Sequence, residues 1–247
     1  LFKDGLPSSQ ICHNDVPDAQ NSHARCTVAW FLTLVRYSQW ARGTSIRFPF
    51  VLYVPQLGGR ITMNIAVVHF AEELPTDPGF VSSRYASLAK VLAAQGHEPV
   101  RIAPTFSHRR KVMRGVQGTV RNETWGAIHL VETPGYRSHR SLARLRHLHA
   151  FAREAAQVAA RLRPDVILSG FPPTGLTAQL ASRKGGRRPT IIVDVQDLWP
   201  DAQRATSRGL TNFALRLATP VIRTQVVRDA DLADGIVGIS QDYASWL

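Results

Sequence analysis

The sequence predicts an α/β protein built on an open, doubly wound parallel sheet. Six short, continuously apolar runs between Asn64 and Ser240 are typical of strands covered on both faces. Segments with apolar residues at three- and four-residue spacing follow most of these runs, as helices do in strand–helix–strand units. This alternation predicts parallel strands joined by crossover helices. Ligands of such sheets bind beyond the carboxyl ends of the strands.

The predicted elements follow one another in a regular order. The strands are placed at residues 64–70, 99–104, 127–133, 165–170, 190–195 and 235–240. The helices are placed at residues 81–95, 138–163, 174–184 and 210–228, and a last helix opens at Gln241. Residues 105–124 are polar and basic without a clear period, which predicts a loop.

Two of the predicted helices have definite faces. In the helix at 138–163, predicted to be the longest, the inward stripe comprises Leu142, Leu145, Leu148, Ala152, Ala155, Ala159 and Leu162. Its solvent face is predicted to be basic and to contain Arg140, Arg144, Arg146, His147, His149, Arg153 and Arg161. In the helix at 210–228 the residues predicted to face inward are Phe213, Leu217, Val221 and Ile222, and Pro220 is expected to kink the helix.

The first 62 residues lack this organisation. They show no sustained helical or strand periodicity, and both cysteines, Cys12 and Cys26, lie among them. Two cysteines are too few for a disulfide scaffold, and these two lack the paired spacing of a zinc site. We therefore expect residues 1–62 to be a loosely ordered or non-native extension, and the folded domain to begin at Met63.

The net charge of the chain is concentrated in one stretch. The chain has 30 Lys and Arg against 18 Asp and Glu, a formal net charge of +12. Residues 101–188 hold 17 of those bases and only four acids, a net charge of +13, so the remainder is nearly neutral. Nucleic acid, an anionic membrane surface and anionic substrates all become candidate partners. Only four of the bases are lysine, and a GC-rich genome explains such an arginine bias equally well.

No segment is long enough to predict a membrane span. The longest apolar run, VAWFLTLV at residues 28–35, is far shorter than the roughly 20 residues that a spanning helix requires. No basic start with a small-residue cleavage site accompanies an apolar stretch, so no signal peptide is predicted. These observations predict a cytoplasmic protein, at most peripheral at the inner face of the plasma membrane.

The first strand-to-helix loop, residues 71–80, lacks the usual phosphate signatures. Neither G-x-G-x-x-G nor a Walker loop is present, which disfavours a dinucleotide oxidoreductase and a P-loop NTPase. Gly79 would let the backbone approach a ligand just before a helix whose N-terminal amides favour anions. Arg84, in the first turn of that helix, is a candidate partner for an anionic ligand. A surface arginine after an ordinary turn is the alternative.

Two later strand ends carry further candidates. In GFPPTG at 170–175, Phe171 is expected to be an exposed aromatic that stacks on a sugar or a lipid-proximal group, with a plain capped turn as the alternative. In DVQDLWPD at 194–201, three carboxylates and a tryptophan meet at one strand end. Carboxylates accept hydrogen bonds from sugar hydroxyls or act as bases, and an indole ring stacks on sugar rings. These candidates are Asp197, Trp199 and Asp201.

Other polar groups are given structural or solvent roles. The DAD run at 229–231 resembles a metal-binding pair but stands at a helix end, where helix capping explains it better. His108, His139, His147 and His149 lack ligand spacing and are expected to be solvated. No metal site and no catalytic Ser/His/Asp or Cys/His set is predicted.

Several motifs of residues 63–247 resemble those of the N-terminal domain of family-4-type glycosyltransferases, which have the GT-B fold. The similarity is greatest to bacterial members that build exopolysaccharide or O-antigen repeat units. The motifs are MNIAVVHF at 63–70, Arg84 with the later SLA at 87–89, LAAQGHEPV at 92–100, PDVI at 164–167, DVQDLWPD at 194–201 and ADGIVGIS at 233–240. Two departures are Gln196, where the family usually has arginine, and a first loop whose glycines are reduced to Gly79.

The resemblance implies a Rossmann-like domain that forms one half of a GT-B architecture and binds the acceptor. Such enzymes move a sugar from a nucleotide-sugar to an acceptor that is often lipid-linked, in cell-surface polysaccharide synthesis, without a metal or other cofactor. Their C-terminal domain holds the donor through an E-x7-E motif, and no two glutamates here stand eight apart. The chain is thus expected to be truncated before its donor domain and inactive alone. The residues expected to line the acceptor cleft are Gly79, Arg84, Phe171, Asp197, Trp199 and Asp201.

Two other functions remain open from the sequence. One is a basic nucleic-acid-binding module using residues 101–188, although interleaved aromatics and any recognisable reading motif are missing. The other is a non-catalytic interaction module. With the glycosyltransferase resemblance, the basic stretch is better suited to an anionic membrane that presents a lipid-diphosphate acceptor. No nucleic-acid partner is then expected.

Overall fold

A computed structural model describes residues 62–116, 118–122, 126–139, 141–182 and 188–247. The expectations for residues 1–61, including those for both cysteines, lie outside the described residues. In the described part, the first strand begins at Asn64, immediately after the Met63 at which the sequence pattern changes.

Nine strands form in the part of the chain that the structure describes. They are β1 (Asn64–Val68), β2 (Glu98–Pro104), β3 (Phe106–Ser107), β4 (Val112–Met113), β5 (Gly118–Asn122), β6 (Gly126–Val131), β7 (Val166–Phe171), β8 (Thr190–Val195) and β9 (Gly235–Gly238). Seven of them make one sheet in the order β5-β6-β2-β1-β7-β8-β9, with every pair parallel except β5 and β6. The strand order reverses between β1 and β7, which is where sheets of this kind open a ligand crevice.

Helices cover both faces of this sheet. They are α1 (Arg84–Ala94), α2 (Leu142–Leu162), α3 (Leu176–Ala181), α4 (Asp201–Thr206), α5 (Gly209–Leu232) and α6 (Gln241–Trp246). Side chains of β1 alternate between the two faces: Ala66 and Val68 pack with α2, whereas Ile65 and Val67 pack with α1. Because both faces are covered, the parallel strands are largely apolar. The predicted Rossmann-like, doubly wound α/β fold is confirmed.

The segment predicted as a loop at 105–124 contains strands, so that prediction is wrong. β3 and β4 pair as a short antiparallel ribbon, and β5 adds antiparallel to β6 at the edge of the main sheet. An edge strand pairs through its backbone on one side and needs no continuous apolar pattern. The sequence of β5, GTVRN, shows none.

The predicted faces of α2 are partly wrong. Leu142 and Leu145, placed in the inward stripe, are exposed, while Arg144 and His147, placed on the solvent face, are buried. The first turns of α2 lie against the segment that follows β6: Arg144 donates to the carbonyl of His139 at 3.0 Å, and a ring nitrogen of His147 lies 2.9 Å from the carbonyl of Pro134. Polar partners there, rather than the sheet, decide which side chains turn inward.

Predictions for α5 and for the histidines also need correction. Phe213, Leu217 and Val221 are exposed, although Ile222 packs against the core. At 24 residues α5, and not α2 with 21, is the longest helix of the described part. His147 is fully buried, and burial lowers its pKa to about 4, so it is not solvated as expected.

Asp229 caps a helix, but not its own. Its carboxylate accepts hydrogen bonds from the backbone N–H groups of Gly175 at 2.5 Å and Ala178 at 3.0 Å, at the start of α3. Asp229 lies in α5, so this contact ties α5 to α3. Burial raises the pKa of Asp229 to about 6, against the hydrogen bonds that lower it.

We expect the free energy of unfolding of the Asp229→Asn variant (D229N) to lack the pH-dependent contribution that Asp229 makes in the wild type. Because the folded pKa lies above the unfolded value of 3.8, Asp229 favours the folded state below pH 3.8 and loses that contribution as the pH rises through about 6. The difference in free energy of unfolding, wild type minus D229N, should fall by about 2 kcal/mol between pH 4 and pH 7. Urea denaturation at several pH values measures this difference. A constant difference would contradict the prediction.

Candidate functional site

The candidate site lies beyond the carboxyl ends of β1, β7 and β8, beside the first turn of α1. Each of these strands contributes one residue at or just after its end, and that residue either has a side chain on the α1 side of the sheet or is a glycine. His69 follows β1, Gly170 lies near the end of β7, and Asp194 lies near the end of β8. Gly170 and Asp194 are direct partners in the register of β7 with β8. The site therefore occupies the crevice at which the strand order reverses.

Asp194 is the buried centre of this arrangement. It is fully buried and forms an ion pair with Arg84. The Tyr85 hydroxyl donates to Oδ2 at 2.6 Å, and Nε2 of Gln196 donates to the same oxygen at 3.0 Å and also hydrogen-bonds the Tyr85 hydroxyl. Burial and the neighbouring carboxylate raise the pKa of Tyr85 well above its usual value, so the phenol remains a donor. These contacts fix the first turn of α1 on the end of β8.

A second buried ion pair lies at the start of the loop after β1. Glu72 accepts from Nη1 of Arg101 at 2.7 Å and from the hydroxyl of Ser83 at 2.8 Å, and both members of the ion pair are almost fully buried. Burial alone would raise the pKa of Glu72, but His69, Arg101 and Ser83 together lower it below its usual value. Glu72 is therefore a carboxylate in the folded protein.

His69 connects the two ion pairs. Its buried Nδ1 lies 3.6 Å from Oε2 of Glu72, and its ring stands 4.6 Å from the ring of Tyr85. The side chain is 13% exposed, so atoms other than Nδ1 reach the surface. At 3.6 Å the Nδ1 contact is electrostatic rather than a hydrogen bond, and the second ring nitrogen is the one left to hydrogen-bond a ligand.

The absence of a side chain at Gly170 makes this packing possible. A Cβ there would lie 2.6 Å from Cδ2 of His69 and 2.7 Å from the hydroxyl oxygen of Tyr85. We expect Gly170→Ala (G170A) to displace one of these side chains and to lower the free energy of unfolding by about 2 kcal/mol, the usual cost of overpacking. Gly115→Ala is the control, since its Cβ would meet nothing within 4 Å and should change stability by less than about 0.5 kcal/mol. Thermal denaturation measures the stability of both variants, and equal losses of stability in G170A and Gly115→Ala would contradict the prediction.

The loop that carries Gly79 is held by a buried arginine from the region after β2. Arg114 donates to Asp77 with Nε and Nη2, and to the carbonyl oxygens of Glu72, Pro104 and Phe106. Gly79 has a φ of +72° at the exposed end of this loop, a conformation that favours glycine. A Cβ at Gly79 would meet nothing within 4 Å, so backbone conformation and not crowding explains the glycine.

The other predicted binding residues lie in three different settings. Phe171 and Trp199 are 3% and 5% exposed and pack in one core cluster with Val193, Val195 and Val226, so the expectation of an exposed aromatic at Phe171 is wrong. Asp201 accepts from Arg223 at 2.9 Å and from the indole of Trp246 at 3.1 Å, which joins α4 to α5 and α6. Asp197 is partly exposed and makes no hydrogen bond or ion pair within the described residues.

The structure thus places Arg84 at the crevice, leaves Asp197 in the chain just after β8, and adds residues that the sequence analysis did not select. Arg84 contacts Asp194 rather than standing free for an anion. The missed residues are His69, Glu72, Tyr85 and Asp194. A signal for Asp194 existed: with two-residue alternation in β8, it shares a face with Ile192, which packs on α1. No group of metal-ligating side chains arranged to hold an ion occurs among the described residues.

Comparison with known proteins gives one family. A family model described as Glycosyltransferase Family 4 matches residues 81–247, from just before α1 to the last residue. No curated protein matches the chain. The match spans about two thirds of the sequence and includes Arg84, Tyr85, Gly170 and Asp194 of the site. The sheet order and the crevice agree with the Rossmann-like half of a GT-B architecture. The chain belongs to Glycosyltransferase Family 4, and the described domain is that of a glycosyltransferase.

Proposed function

We propose that residues 63–247 are the acceptor-binding domain of an enzyme that moves a sugar from a nucleotide-sugar to a lipid-linked glycan. The reaction would belong to cell-surface polysaccharide synthesis, such as that of exopolysaccharide or O-antigen. The nucleotide-sugar would bind to a second, donor-binding domain of such an enzyme. The enzyme would act in the cytoplasm, peripherally at the inner face of the plasma membrane.

The observation that carries this proposal is the polar crevice between β1 and β7. His69 and Asp197, which follow the carboxyl ends of β1 and β8, are partly exposed and offer hydrogen-bonding groups there. The buried carboxylates of Glu72 and Asp194 hold neighbouring side chains in place. Such groups suit the hydroxyls of a sugar acceptor. No helix of the described residues is both long and apolar enough to cross a membrane. Contact with the bilayer would use the exposed arginines of residues 101–188.

Direct binding tests the proposal on this chain. We expect the chain to bind a farnesyl-diphosphate-linked N-acetylglucosamine in detergent, measured by calorimetry. Asp197→Asn should weaken binding about tenfold, the effect of one charge-assisted hydrogen bond. The control is Asp231→Asn, an exposed carboxylate near the end of α5. Failure to bind the glycolipid would contradict the proposal. Steeply salt-dependent binding of DNA instead would favour the nucleic-acid alternative.

A further inference from the structure

A group of positive and titratable side chains lies beyond the carboxyl ends of β2 and β6. We call it the basic cluster, and its members are His108, Lys111, Tyr136, His139, Arg144 and His147. His108 hydrogen-bonds the Tyr136 hydroxyl, and the ring of His108 lies 5.0 Å from that of His139. The ring of Tyr136 lies 5.0 Å from that of His147. The cluster thus packs as one unit.

Two cations of the basic cluster lack a counter-ion. The ammonium group of Lys111 is buried without a hydrogen-bond partner in the described residues and lies 4.5 Å from the centre of the Tyr136 ring. Arg144 is 6% exposed; it donates to the carbonyl of His139, and its Nε is buried without a partner in the same part of the chain. Neither forms an ion pair with a carboxylate there.

The lowered pKa values of Lys111 and His108 agree with an uncompensated positive charge in the basic cluster. Burial and the charge of Arg144 lower the pKa of Lys111. Burial, with the charges of Lys111, His139 and Arg144, lowers the pKa of His108 to about 3. No carboxylate contributes in the opposite direction. Elsewhere in this protein buried cations are paired, as Arg101 is with Glu72 and Arg114 with Asp77. Burying an unpaired charge is costly, so an anion is the missing partner.

We propose that the basic cluster binds a phosphate or diphosphate group, and that this group belongs to the acceptor. The assignment of this phosphate group to the acceptor rests on the function proposed above. A guanidinium, an ammonium and three imidazoles in one packed cluster supply the several donors and the positive charge that a phosphate group requires. His139 is exposed and forms the entrance. The Lys111 ammonium, on its flexible stem, would turn from the Tyr136 ring to the anion.

The position of the basic cluster suits this assignment. The ring of His108 contacts that of Phe70, at the end of β1, with centroids 5.1 Å apart. The phosphate site is thus adjacent to the crevice that holds His69. An acceptor whose phosphate occupies the basic cluster would extend its sugar toward the crevice. The acceptor would then be an anionic, phosphorylated one.

Pyrophosphate binding to the full chain tests the site. We expect calorimetry at low salt to detect binding at submillimolar pyrophosphate, and Lys111→Met (K111M) to weaken it at least tenfold. Lys90→Met (K90M) is the control, because it removes the same charge from an exposed position on α1. K111M should be at least as stable as the wild type without anion, since the ammonium is unpaired. Pyrophosphate should raise Tm of the wild type and of K90M but not that of K111M.

Several results would overturn the proposal. They are no binding to the wild type, equal binding to K111M, an equal loss in K90M, or a large loss of stability in K111M without anion. Farnesyl diphosphate and glucose 1-phosphate, tested against the same variants, distinguish a lipid-borne from a soluble phosphate. If either binds through Lys111 while the glycolipid does not bind, the phosphate site stands and the proposed lipid-linked acceptor fails. If the glycolipid binds equally to K111M and the wild type, the proposed lipid-linked acceptor stands and the phosphate site at the basic cluster fails.

Discussion

The Glu72→Ala variant (E72A) is expected to be less stable than the wild type by about 4 kcal/mol, because removal of one member of a buried ion pair leaves the other charge uncompensated. Arg101 is 1% exposed and would lose its carboxylate partner, and the Ser83 hydroxyl would lose its acceptor. Chemical denaturation at pH 7 measures the loss. Because neighbouring groups lower the pKa of Glu72, the loss should be complete above pH 4.5 and should shrink as the pH falls through that lowered value.

Two further variants separate the ion pair from general disturbance of the loop. Glu73→Ala removes the adjacent carboxylate, whose partner Arg109 is 62% exposed, and should cost less than about 1 kcal/mol. The double variant Glu72→Met with Arg101→Met removes both charges and should recover most of the loss of E72A, since apolar replacements of a buried pair are often neutral. A double variant as unstable as E72A would contradict this explanation.

The Asp194→Asn variant (D194N) is expected to lose about 3 kcal/mol of stability and to loosen the first turn of α1. The substitution keeps the shape of the side chain but removes the charge that pairs with Arg84. It also places an amide where the Tyr85 hydroxyl and the Gln196 amide now both donate. Chemical denaturation gives the stability, and hydrogen exchange of the amides in α1 reports the loosening.

Asp197→Asn is the matched control for D194N. It makes the same chemical change three residues later at the same strand end, on a side chain without a partner in the described residues. Its stability should differ from that of the wild type by less than about 0.5 kcal/mol. Equal effects of the two substitutions would show that the buried contacts of Asp194 contribute nothing.

The sequence was sufficient to predict the sheet because the parallel strands are covered on both faces and are therefore largely apolar, with few charged residues such as Arg101 and Asp194. It was not sufficient for β3, β4 and β5, since short ribbons and edge strands are specified by backbone pairing, which leaves little pattern in the side chains. The prediction of which side chains face inward at the start of α2 was wrong for another reason. Apolar spacing marks the side that faces a core, and Arg144 and His147 face polar groups after β6 instead.

For the candidate site, the motif at 194–201 stands at the end of β8 as predicted, but the exposure expected of an aromatic ring at Phe171 was wrong. Hydrophobic rings at a strand end pack inward when a helix covers them, as Phe171 and Trp199 do. Asp194 was counted among the three carboxylates of the motif but was not selected as a binding residue, and it lies inside the apolar run TIIVDV. Its partners Arg84 and Tyr85 are about 110 residues away in the chain. Spacing along a sequence does not report pairs so far apart.

Arg114 has a mechanical consequence for the crevice. Its guanidinium joins the loop after β1 to the chain after β2 through one carboxylate and three carbonyl oxygens. Opening the crevice on that side would break several hydrogen bonds of one buried cation together. The two segments should therefore move as one body, so that a ligand meets a rim already in its final shape. Less ordering entropy is then lost when the ligand binds.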